Sequence, residues 1–387
     1  MTGTDYPNLS LATILAEAHA ESGGSVTPPI VQSSLFTFDS YESFEHRMAG
    51  HGSDPIYTRV QNPTVAAFEG LMAKAEKGEA AVGFASGMAA ISSTLMTFLK
   101  PGDRVACIEH VYPDTYRLFE RLLRPFGVEI SYHSPTAFEN DPNLLDGVRL
   151  AYLESPSSTV FEVTNLLKVA EHARRHGTLT VIDNSWASPI LQNPLALGID
   201  ITLHSASKYI SGHSDTVAGV VVANQDLIDQ IRELALPLLG AKLAPFEAFL
   251  LTRGLRTLDA RIQQHQRTAD LMVDRLSRLS CVTRIHSPSS NSVPGLKGRS
   301  GLMSVEFASN IDIKRFSNAL SLFRLGVSWG GFESLIMPAQ VGLSQKGEKN
   351  SMQRFGVSPS LVRLNLGLEE PEDLWADITT ALSHATL

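Results

Sequence analysis

Residues 178–209, TLTVIDNSWASPILQNPLALGIDITLHSASKY, contain two apolar segments that each run toward a chemically active side chain. The first segment, 178–182, ends at Asp183, and the second, 199–203, is followed closely by Lys208. Short apolar runs bounded by turn residues are typical of buried strands. In an open parallel sheet, ligands bind beyond the carboxyl ends of the strands. We therefore expect Asp183 and Lys208 to face one ligand at the same edge of a sheet.

Strands and helices alternate on both sides of this stretch. Asn62 followed by Pro63 predicts a helix start, because Asn can cap free N–H groups and proline at the first helical position loses no hydrogen bond. Gly177 predicts the end of another helix. Further strands are predicted at Ala80–Phe84, 105–108, 150–153 and 217–222, with helices that begin at Gly87, cover 116–123 and occupy 165–176. This βαβ succession indicates an α/β fold with a mostly parallel central sheet and helices on both faces.

Three regions of the chain differ in pattern. A Pro- and Gly-rich stretch near the start predicts an N-terminal extended arm at 1–56, and the alternation of strands and helices predicts a large domain at 57–246. The remainder has a long segment rich in Leu and Arg, followed by apolar strands at Leu302–Phe307 and 361–366. These features predict a smaller C-terminal α+β domain at 247–387.

Composition limits the class of protein. The chain has 387 residues and a net charge of -8, from 32 Lys and Arg against 40 Asp and Glu, without a dense basic run. We therefore expect neither nucleic acid nor a membrane as a partner. The 2 cysteines indicate a reducing compartment, and the first residues lack the pattern of a secretory signal, so we expect a cytoplasmic protein. Glycine, serine and threonine interrupt the uncharged window 80–99, which is predicted to be a strand, a turn and a helix rather than a membrane span.

Three groups of residues at predicted strand ends fit the needs of one cofactor. The tripeptide Ser-Gly-Met at 86–88 opens a helix whose free N–H groups can seat a phosphate, although it also fits an ordinary turn. Asp183 could pair with a pyridinium N–H or a magnesium ion, or cap the next turn. Most lysines are solvated surface residues, but Lys208 follows the hydroxyls of Ser205 and Ser207, which can hold phosphate, and its amine can form an imine with an aldehyde. A phosphate seat, a partner for a ring nitrogen and an imine-forming lysine are together what pyridoxal phosphate requires.

Short motifs along the chain match one enzyme family in order. They are Tyr57-Thr58-Arg59 with Asn62-Pro63-Thr64, Ser86-Gly87-Met88, Glu154-Ser155-Pro156, Asp183-Asn184, Ser205-Ala206-Ser207-Lys208-Tyr209, Gly212-His213-Ser214-Asp215, Arg253-Gly254-Leu255-Arg256-Thr257-Leu258 and Gly330-Gly331-Phe332-Glu333-Ser334. Each motif alone is weak, but together they resemble the pyridoxal-phosphate enzymes of cysteine and methionine metabolism over nearly the whole chain. The resemblance implies a fold of the aspartate aminotransferase type, known as fold type I, with 57–246 as the cofactor-binding domain.

The resemblance also implies roles at the cofactor. Lys208 would bind the cofactor and later move the Cα proton of the substrate, Asp183 would keep the ring nitrogen protonated, and Tyr112 would stack on the ring. The residues that would seat the phosphate are Gly87, Met88, Ser205 and Ser207. Tyr57 and Arg59 match residues that reach the phosphate of a neighbouring subunit, so the resemblance implies a homotetramer built from dimers that share active sites.

On the substrate side, Arg363 lies in an apolar strand and needs a carboxylate, either from a structural Asp or Glu or from an amino-acid substrate. The resemblance places the family's carboxylate clamp there. Trp329 before the glycine pair, and Ser158 where γ-acting relatives usually have asparagine, resemble bacterial cystathionine β-lyases. Asp114 departs from the cysteine typical of methionine γ-lyases. The residues expected to contact substrate are Arg363, Trp329, Ser328, Ser158 and Tyr57.

The resemblance therefore implies a carbon–sulfur lyase that converts cystathionine to homocysteine, pyruvate and ammonia by α,β-elimination, and that also acts on other cysteine S-conjugates or cystine. A γ-lyase or γ-synthase of the same family is the nearest alternative. A nucleotide-binding hydrolase lacks both G-x-x-x-x-G-K-[ST] and G-x-G-x-x-G, and a metal-dependent hydrolase lacks H-E-x-x-H, so we expect no metal. A non-catalytic pyridoxal-binding protein is disfavoured by Tyr112 and Arg363.

Overall fold

The computed structural model describes residues 9–17, 25–290, 292–346 and 350–387, so parts of the predicted arm lie outside the described residues. The strands are β1 (Ala80–Phe84), β2 (Arg104–Ile108), β3 (Glu129–His133), β4 (Leu150–Glu154), β5 (Leu179–Asp183), β6 (Ile201–Ser205), β7 (Gly219–Ala223), β8 (Val282–His286), β9 (Leu302–Phe307), β10 (Arg324–Leu325), β11 (Leu335–Pro338) and β12 (Leu361–Asn365). The helices are α1 (Leu11–Ala16), α2 (Tyr41–Met48), α3 (Pro63–Glu76), α4 (Gly87–Phe98), α5 (Pro113–Leu118), α6 (Pro135–Asn140), α7 (Leu166–His176), α8 (Ser188–Leu191), α9 (Gln225–Leu234), α10 (Pro245–Arg256), α11 (Leu258–Leu276), α12 (Ile313–Ala319), α13 (Ala339–Leu343), α14 (Ser351–Arg354) and α15 (Pro371–Ala385).

The larger sheet has seven strands in the order β1-β7-β6-β5-β4-β2-β3. The five strands from β6 to β3 are parallel, whereas β7 is antiparallel to both β6 and β1. A strand that is parallel to the one before it needs a crossover connection, which is usually a helix. The connection 206–218 contains turns and no helix, so β7 runs antiparallel beside β6. The prediction of a mostly parallel central sheet is confirmed.

The helix boundaries follow local hydrogen bonding. The side chain of Asn62 accepts a hydrogen bond from the Thr64 N–H at 2.9 Å, and Pro63 is the first residue of α3. At the end of α7, Gly177 adopts a left-handed conformation with φ of 65°, which favours glycine. Both predicted boundaries are confirmed. In the described part of the chain, no helix is long and apolar enough to cross a membrane.

The central strands are buried on both faces, which makes the larger sheet a rigid support for its edges. Val181, Ile182, Ile201 and Leu203 are fully buried. Burying each such side chain contributes about 1.5–3 kcal/mol. Helix α4 covers one face of the sheet and helix α3 the other.

A second sheet of five strands has the order β10-β11-β12-β9-β8 and its own core against α12 and α15. Helix α10 packs on α3, and α11 connects the two cores, because Ile262 packs with the first sheet and Ala269 with the second. The predicted boundaries at 57 and 247 stay predictions, and residue 247 lies in the first turn of α10. The described part of the arm contains α1 and α2 in addition to extended chain.

Candidate active site

The carboxyl ends of β5 and β6 bring Asp183 and Lys208 to the same edge of the sheet. The Asn184 N–H donates to the Leu203 carbonyl at 2.9 Å, which ties the two strand ends together. A turn follows β6, in which the Lys208 N–H donates to the Ser205 carbonyl at 3.1 Å. This turn directs the lysine back over the strand ends.

The carboxylate of Asp183 has a local hydrogen-bond partner that the sequence analysis did not single out. Its Oδ1 accepts a hydrogen bond from the Ser185 N–H at 2.9 Å. The Ser185 hydroxyl in turn accepts from the Ser205 N–H at 2.7 Å. Burial raises the pKa of Asp183, while the Ser185 hydrogen bonds and the positive charge of Lys208 lower it. An aspartate whose side chain accepts the backbone N–H two residues later is a known turn pattern. The Asp-x-Ser sequence at 183–185 could therefore have predicted this hydrogen bond.

The amine of Lys208 lies in a site that favours its neutral form. Its Nζ donates to the Ser328 hydroxyl at 2.8 Å and lies 5.4 Å from the centre of the Trp329 ring. Burial and, to a smaller extent, the charge of Arg363 lower the pKa of Lys208 to about 8, against the opposing effect of Asp183. Roughly one amine in ten is then neutral at pH 7, against fewer than one in a thousand for an ordinary lysine. A neutral amine is the form that attacks an aldehyde or accepts a proton.

Tyr112 stands at the start of α5 and is 42% exposed. Its N–H donates to Glu154 Oε1 at 2.8 Å, and its hydroxyl donates to Asp114 Oδ2 at 3.2 Å. Burial, together with the charge of Asp114 and the hydrogen bond that Asp114 accepts, raises the pKa of Tyr112 to about 12. The phenol is therefore protonated at neutral pH, and its ring is held at the same edge of the sheet as Asp183.

The residues from 86 to 88 form a helix start pressed against Ser205. The Ser86 hydroxyl accepts from the Ala89 N–H at 3.0 Å, and Gly87 is the first residue of α4. A Cβ on Gly87 would lie 2.9 Å from the Ser205 Cβ and 3.0 Å from its hydroxyl oxygen, so only glycine leaves this concave surface open. Met88 follows and packs partly on the core. Free N–H groups of a helix start beside a serine hydroxyl suit a phosphate.

Ser205 and Ser207 differ in what their hydroxyls can offer. The Ser207 hydroxyl donates to the Ala218 carbonyl at 3.2 Å and accepts from the Ala218 N–H at 3.0 Å. Since a hydroxyl has one proton to donate, Ser207 in this orientation has none left for a phosphate. Ser205 is therefore the better placed donor of the two.

Arg363 extends from β12 toward the segment that carries Ser328. Its guanidinium donates to the Val327 carbonyl at 2.6 Å and to the Ser328 carbonyl at 3.3 Å. Burial lowers the pKa of Arg363 to about 10. Within the described ranges no Asp or Glu forms an ion pair with it, so the structural ion pair considered from the sequence is absent there. A ligand carboxylate can fill that role.

The 328–330 segment reaches Lys208 because Gly330 permits a close approach. Gly330 has φ of 84°, and a Cβ there would lie 2.8 Å from the Tyr209 nitrogen. Its N–H donates to Asn365 Oδ1 at 3.0 Å, and the Trp329 and Tyr209 rings lie 5.5 Å apart. The structure thus brings Ser328 and Trp329 to the lysine.

Ser158 lies in the loop after β4, where its N–H donates to the His110 carbonyl at 2.8 Å. His110 has φ of 55°, a left-handed backbone in a residue that is not glycine. Such strain is often found close to functional sites. Ser158 is therefore near the loop that leads to Tyr112.

Two predicted site residues lie elsewhere in the same chain. Tyr57 and Arg59 line a surface groove of about 730 Å3 together with Lys242 and Pro245, and the Arg59 guanidinium lies 5.5 Å from the Tyr57 ring centre. In the residues that the structure covers, no hydrogen bond or ring contact joins either one to Lys208. Their expected role in a neighbouring subunit stays a prediction.

The open helix start beside Ser205, the low-pKa lysine and the strand-end aspartate fit pyridoxal phosphate, and the α/β sheet that carries them defines a fold type I enzyme of that cofactor. A family model described as Cys/Met metabolism PLP-dependent enzyme matches residues 12–383. The chain belongs to this family of trans-sulfuration enzymes, and pyridoxal phosphate is its cofactor.

Individual relatives carry several activities within the family. The chain is 37% identical to an L-methionine gamma-lyase of Pseudomonas putida over 372 residues, covering 94% of each chain. It is 33% identical to a cystathionine beta-lyase of Lactococcus lactis subsp. cremoris over 368 residues, covering 93% of this chain and 94% of that one. The crystal structure of cystathionine gamma-lyase from Lactobacillus plantarum complexed with L-serine superimposes with a TM-score of 0.88 at 30% identity, covering 97% of this chain and 99% of that one. These matches support an enzyme that acts on carbon–sulfur bonds.

Proposed function

We propose that this enzyme cleaves the Cβ–S bond of cystathionine by α,β-elimination. The observation that carries the proposal is the position of Trp329, whose ring lies beside the Lys208 amine directly before a glycine pair, as in the bacterial β-lyases that the motif resembles. Ser158 and Asp114 also differ from the residues typical of γ-acting relatives. Cystathionine and water would give homocysteine, pyruvate and ammonia.

The side chains divide the work of this reaction. Pyridoxal phosphate supplies an electron sink for the carbanion at Cα. Arg363 binds the substrate carboxylate through its guanidinium, because no acidic side chain within the described residues pairs with it. Lys208 takes the Cα proton at Nζ, because its lowered pKa leaves part of the amine neutral and able to act as a base. The electron pair of the broken Cβ–S bond leaves on sulfur, which takes up a proton.

Two further residues act on the cofactor and not on the sulfur. Asp183 pairs with the ring nitrogen and keeps it protonated, and the Ser185 N–H holds its carboxylate in place. Tyr112 packs its exposed ring on the cofactor, while its backbone is fixed by Glu154. The proposal gives both residues a binding role.

A second candidate is γ-elimination from methionine or cystathionine. It is favoured by relatives named L-methionine gamma-lyase and cystathionine gamma-lyase among the matches. With water, the products would be 2-oxobutanoate, ammonia and a thiol. Both candidates use the same cofactor and the same lysine.

The proposal includes assembly into dimers that share active sites, and dimers into a tetramer. Large apolar side chains are exposed along the described part of the arm, including Val26, Leu35, Tyr41 and Met48. Exposed apolar groups clustered in this way are typical of a subunit interface. The groove that holds Tyr57 and Arg59 belongs to the same surface.

The test is to identify the keto acids formed from three substrates. Cystine has no Cγ, so pyruvate from cystine requires β-elimination, and methionine has no leaving group at Cβ, so 2-oxobutanoate from methionine requires γ-elimination. We expect pyruvate with homocysteine from cystathionine, pyruvate from cystine, and negligible product from methionine. The Lys208→Ala variant should be inactive on all three, whereas Lys168→Ala, which removes an exposed lysine, should behave as the unmodified enzyme. If cystathionine yields 2-oxobutanoate with cysteine, the γ-lyase takes the place of this proposal.

A further inference from the structure

The last residues of β4 and β5 are two carboxyl side chains in direct register. Glu154 is the strand partner of Asp183 in a parallel pair, so both side chains leave the same face of the sheet. Neighbouring strands are about 4.8 Å apart. Glu154 belongs to a motif of the family resemblance, and the only role described above for its carboxyl group is to accept the Tyr112 N–H. It is only 6% exposed.

The groups that face Glu154 are acids. They are Asp183 on β5, Tyr152 on its own strand, Cys107 on β2 and the side chain of Tyr112. Within the described residues no Lys, Arg or His forms an ion pair with Glu154, and its Oε1 accepts a hydrogen bond from the backbone N–H of Tyr112. A buried carboxylate without a cation is costly, and two adjacent carboxylates seldom ionise together.

Asp183 is the member of the pair that is better placed to ionise. It accepts the Ser185 N–H, and the charge of Lys208 favours its ionised form. Among the described residues, no positively charged group acts on Glu154 in this way. Burial raises the pKa of Glu154 well above its usual range, and the charge of Asp183 raises it further.

We propose that Glu154 is a positioning residue that remains a neutral carboxylic acid and connects Asp183, which faces the cofactor nitrogen, to the backbone of Tyr112, which packs on the cofactor ring. As a neutral acid, it leaves the pair with one negative charge, located on Asp183. Its Oε1 still accepts the Tyr112 N–H, so the start of α5 stays fixed relative to β5.

Glu69 provides a matched contrast within the chain. It is also buried and also accepts a backbone N–H, from Gly83 at 2.7 Å, but it forms an ion pair with Arg232 at 2.6 Å. Burial raises the pKa of Glu69 but Arg232 opposes the shift, whereas Asp183 adds to the rise at Glu154, so we expect Glu69 to ionise more readily than Glu154. The comparison separates the effect of burial from the effect of a charged partner.

Infrared spectroscopy of the cofactor-free protein tests the protonation directly. At neutral pH we expect a carbonyl-stretch band of a protonated carboxylic acid that moves in D2O, is lost in Glu154→Gln and persists in Glu69→Gln. The same acid band in Glu154→Gln as in the unmodified protein would overturn the proposal. No substrate is needed, so the result does not depend on whether the enzyme is a β-lyase.

Cofactor binding tests the positioning role. Glutamine is neutral and keeps an oxygen for the Tyr112 N–H, so Glu154→Gln should bind pyridoxal phosphate within about 3-fold of the unmodified protein and keep the pH midpoint of its visible absorption. Glu154→Ala leaves that N–H without a partner and should weaken binding by roughly tenfold or more. A shift of the midpoint in Glu154→Gln, or binding by Glu154→Gln as weak as by Glu154→Ala, would contradict the proposal. Circular dichroism identifies any variant that fails to fold.

Discussion

Three features of the surroundings of Lys208 determine the pKa of its amine. Burial and the charge of Arg363 disfavour the ammonium form, and the carboxylate of Asp183 favours it. Burial is the largest of these effects, and the result is an amine with a pKa of about 8. The reactivity of the residue is therefore set by the folded chain and can be measured without substrate.

Covalent capture of pyridoxal phosphate should report this pKa. In cofactor-free protein we expect the rate of capture by Lys208, trapped with borohydride, to rise with pH through a midpoint near 8 because only the neutral amine attacks. Arg363→Met removes a positive charge that favours the neutral amine, so its midpoint should move upward. The exposed Arg284→Met is the control and should leave the midpoint in place. A downward shift in Arg363→Met would show that the charge argument is wrong.

The pKa of the Tyr112 phenol should fall when the charge of Asp114 is removed. Asp114 raises the pKa of Tyr112 through its charge and through the hydrogen bond it accepts, so Asp114→Asn should lower that pKa from about 12. The measurement is an ultraviolet titration of tyrosine in Asp114→Asn, with the Asp114→Asn/Tyr112→Phe double variant subtracted. Asp141→Asn, an exposed change elsewhere, should have no effect. An unchanged Tyr112 midpoint in Asp114→Asn would show that Asp114 does not raise the pKa of Tyr112.

The residues differ in how far the sequence could predict their place. Asp183 and Lys208 directly follow apolar strands, so a rule about strand ends was sufficient to place them together. The hydrogen bond between Lys208 and Ser328 joins residues 120 positions apart in sequence. The hydrogen bond between Tyr112 and Glu154 joins residues 42 positions apart. No local pattern encodes such a contact, because it depends on how the loops fold back over the sheet. The family resemblance supplied Ser328 but gave no role to Glu154.

At the scale of elements, prediction succeeded where a strand or helix has a strong local signal. Strands β1 and β9 have the predicted bounds, since both are apolar and bounded by turn residues. Strand β3 was not predicted, because it is an edge strand with exposed Glu129 and Ser131, and its apolar content is low. The antiparallel direction of β7 also needed the structure, since an apolar run does not encode its direction.

The start of α4 allows an element-scale test with a matched control. Gly87→Ala would place a Cβ 2.9 Å from the Ser205 side chain, so we expect the affinity for pyridoxal phosphate to fall by about tenfold or more, through distortion of the phosphate seat. Gly70→Ala, in the exposed middle of α3 with no atom within 4 Å of the new Cβ, should leave binding unchanged. That control should also raise the free energy of unfolding by roughly 0.5–1 kcal/mol. Equal cofactor affinity in both variants would exclude the proposed seat.

At the scale of the whole molecule, one chain holds only part of the proposed site. Lys208, Asp183 and Arg363 converge at one edge of the larger sheet, while Tyr57 and Arg59 lie in a groove beside Lys242. The groove lies near the phosphate seat in space, because the N–H of Ala85, the residue before Ser86, donates to the carbonyl of Ala241 in the groove lining at 2.9 Å. If a second copy covers this groove, its own Tyr57 and Arg59 can enter the first copy's site by the symmetry of a dimer.

Mixing two inactive variants tests this shared site. Lys208→Ala and Arg59→Ala should each have little activity, because one lacks the base and the other a phosphate contact. In a mixed dimer, one site carries both changes and the other carries neither. After denaturation and joint refolding of equal amounts, half of the dimers are mixed, so about a quarter of all sites should be intact and activity should recover to about that fraction. Refolding each variant alone, and mixing without unfolding, are the controls. A refolded mixture no more active than the sum of its separate components would show that Arg59 does not act across a subunit boundary.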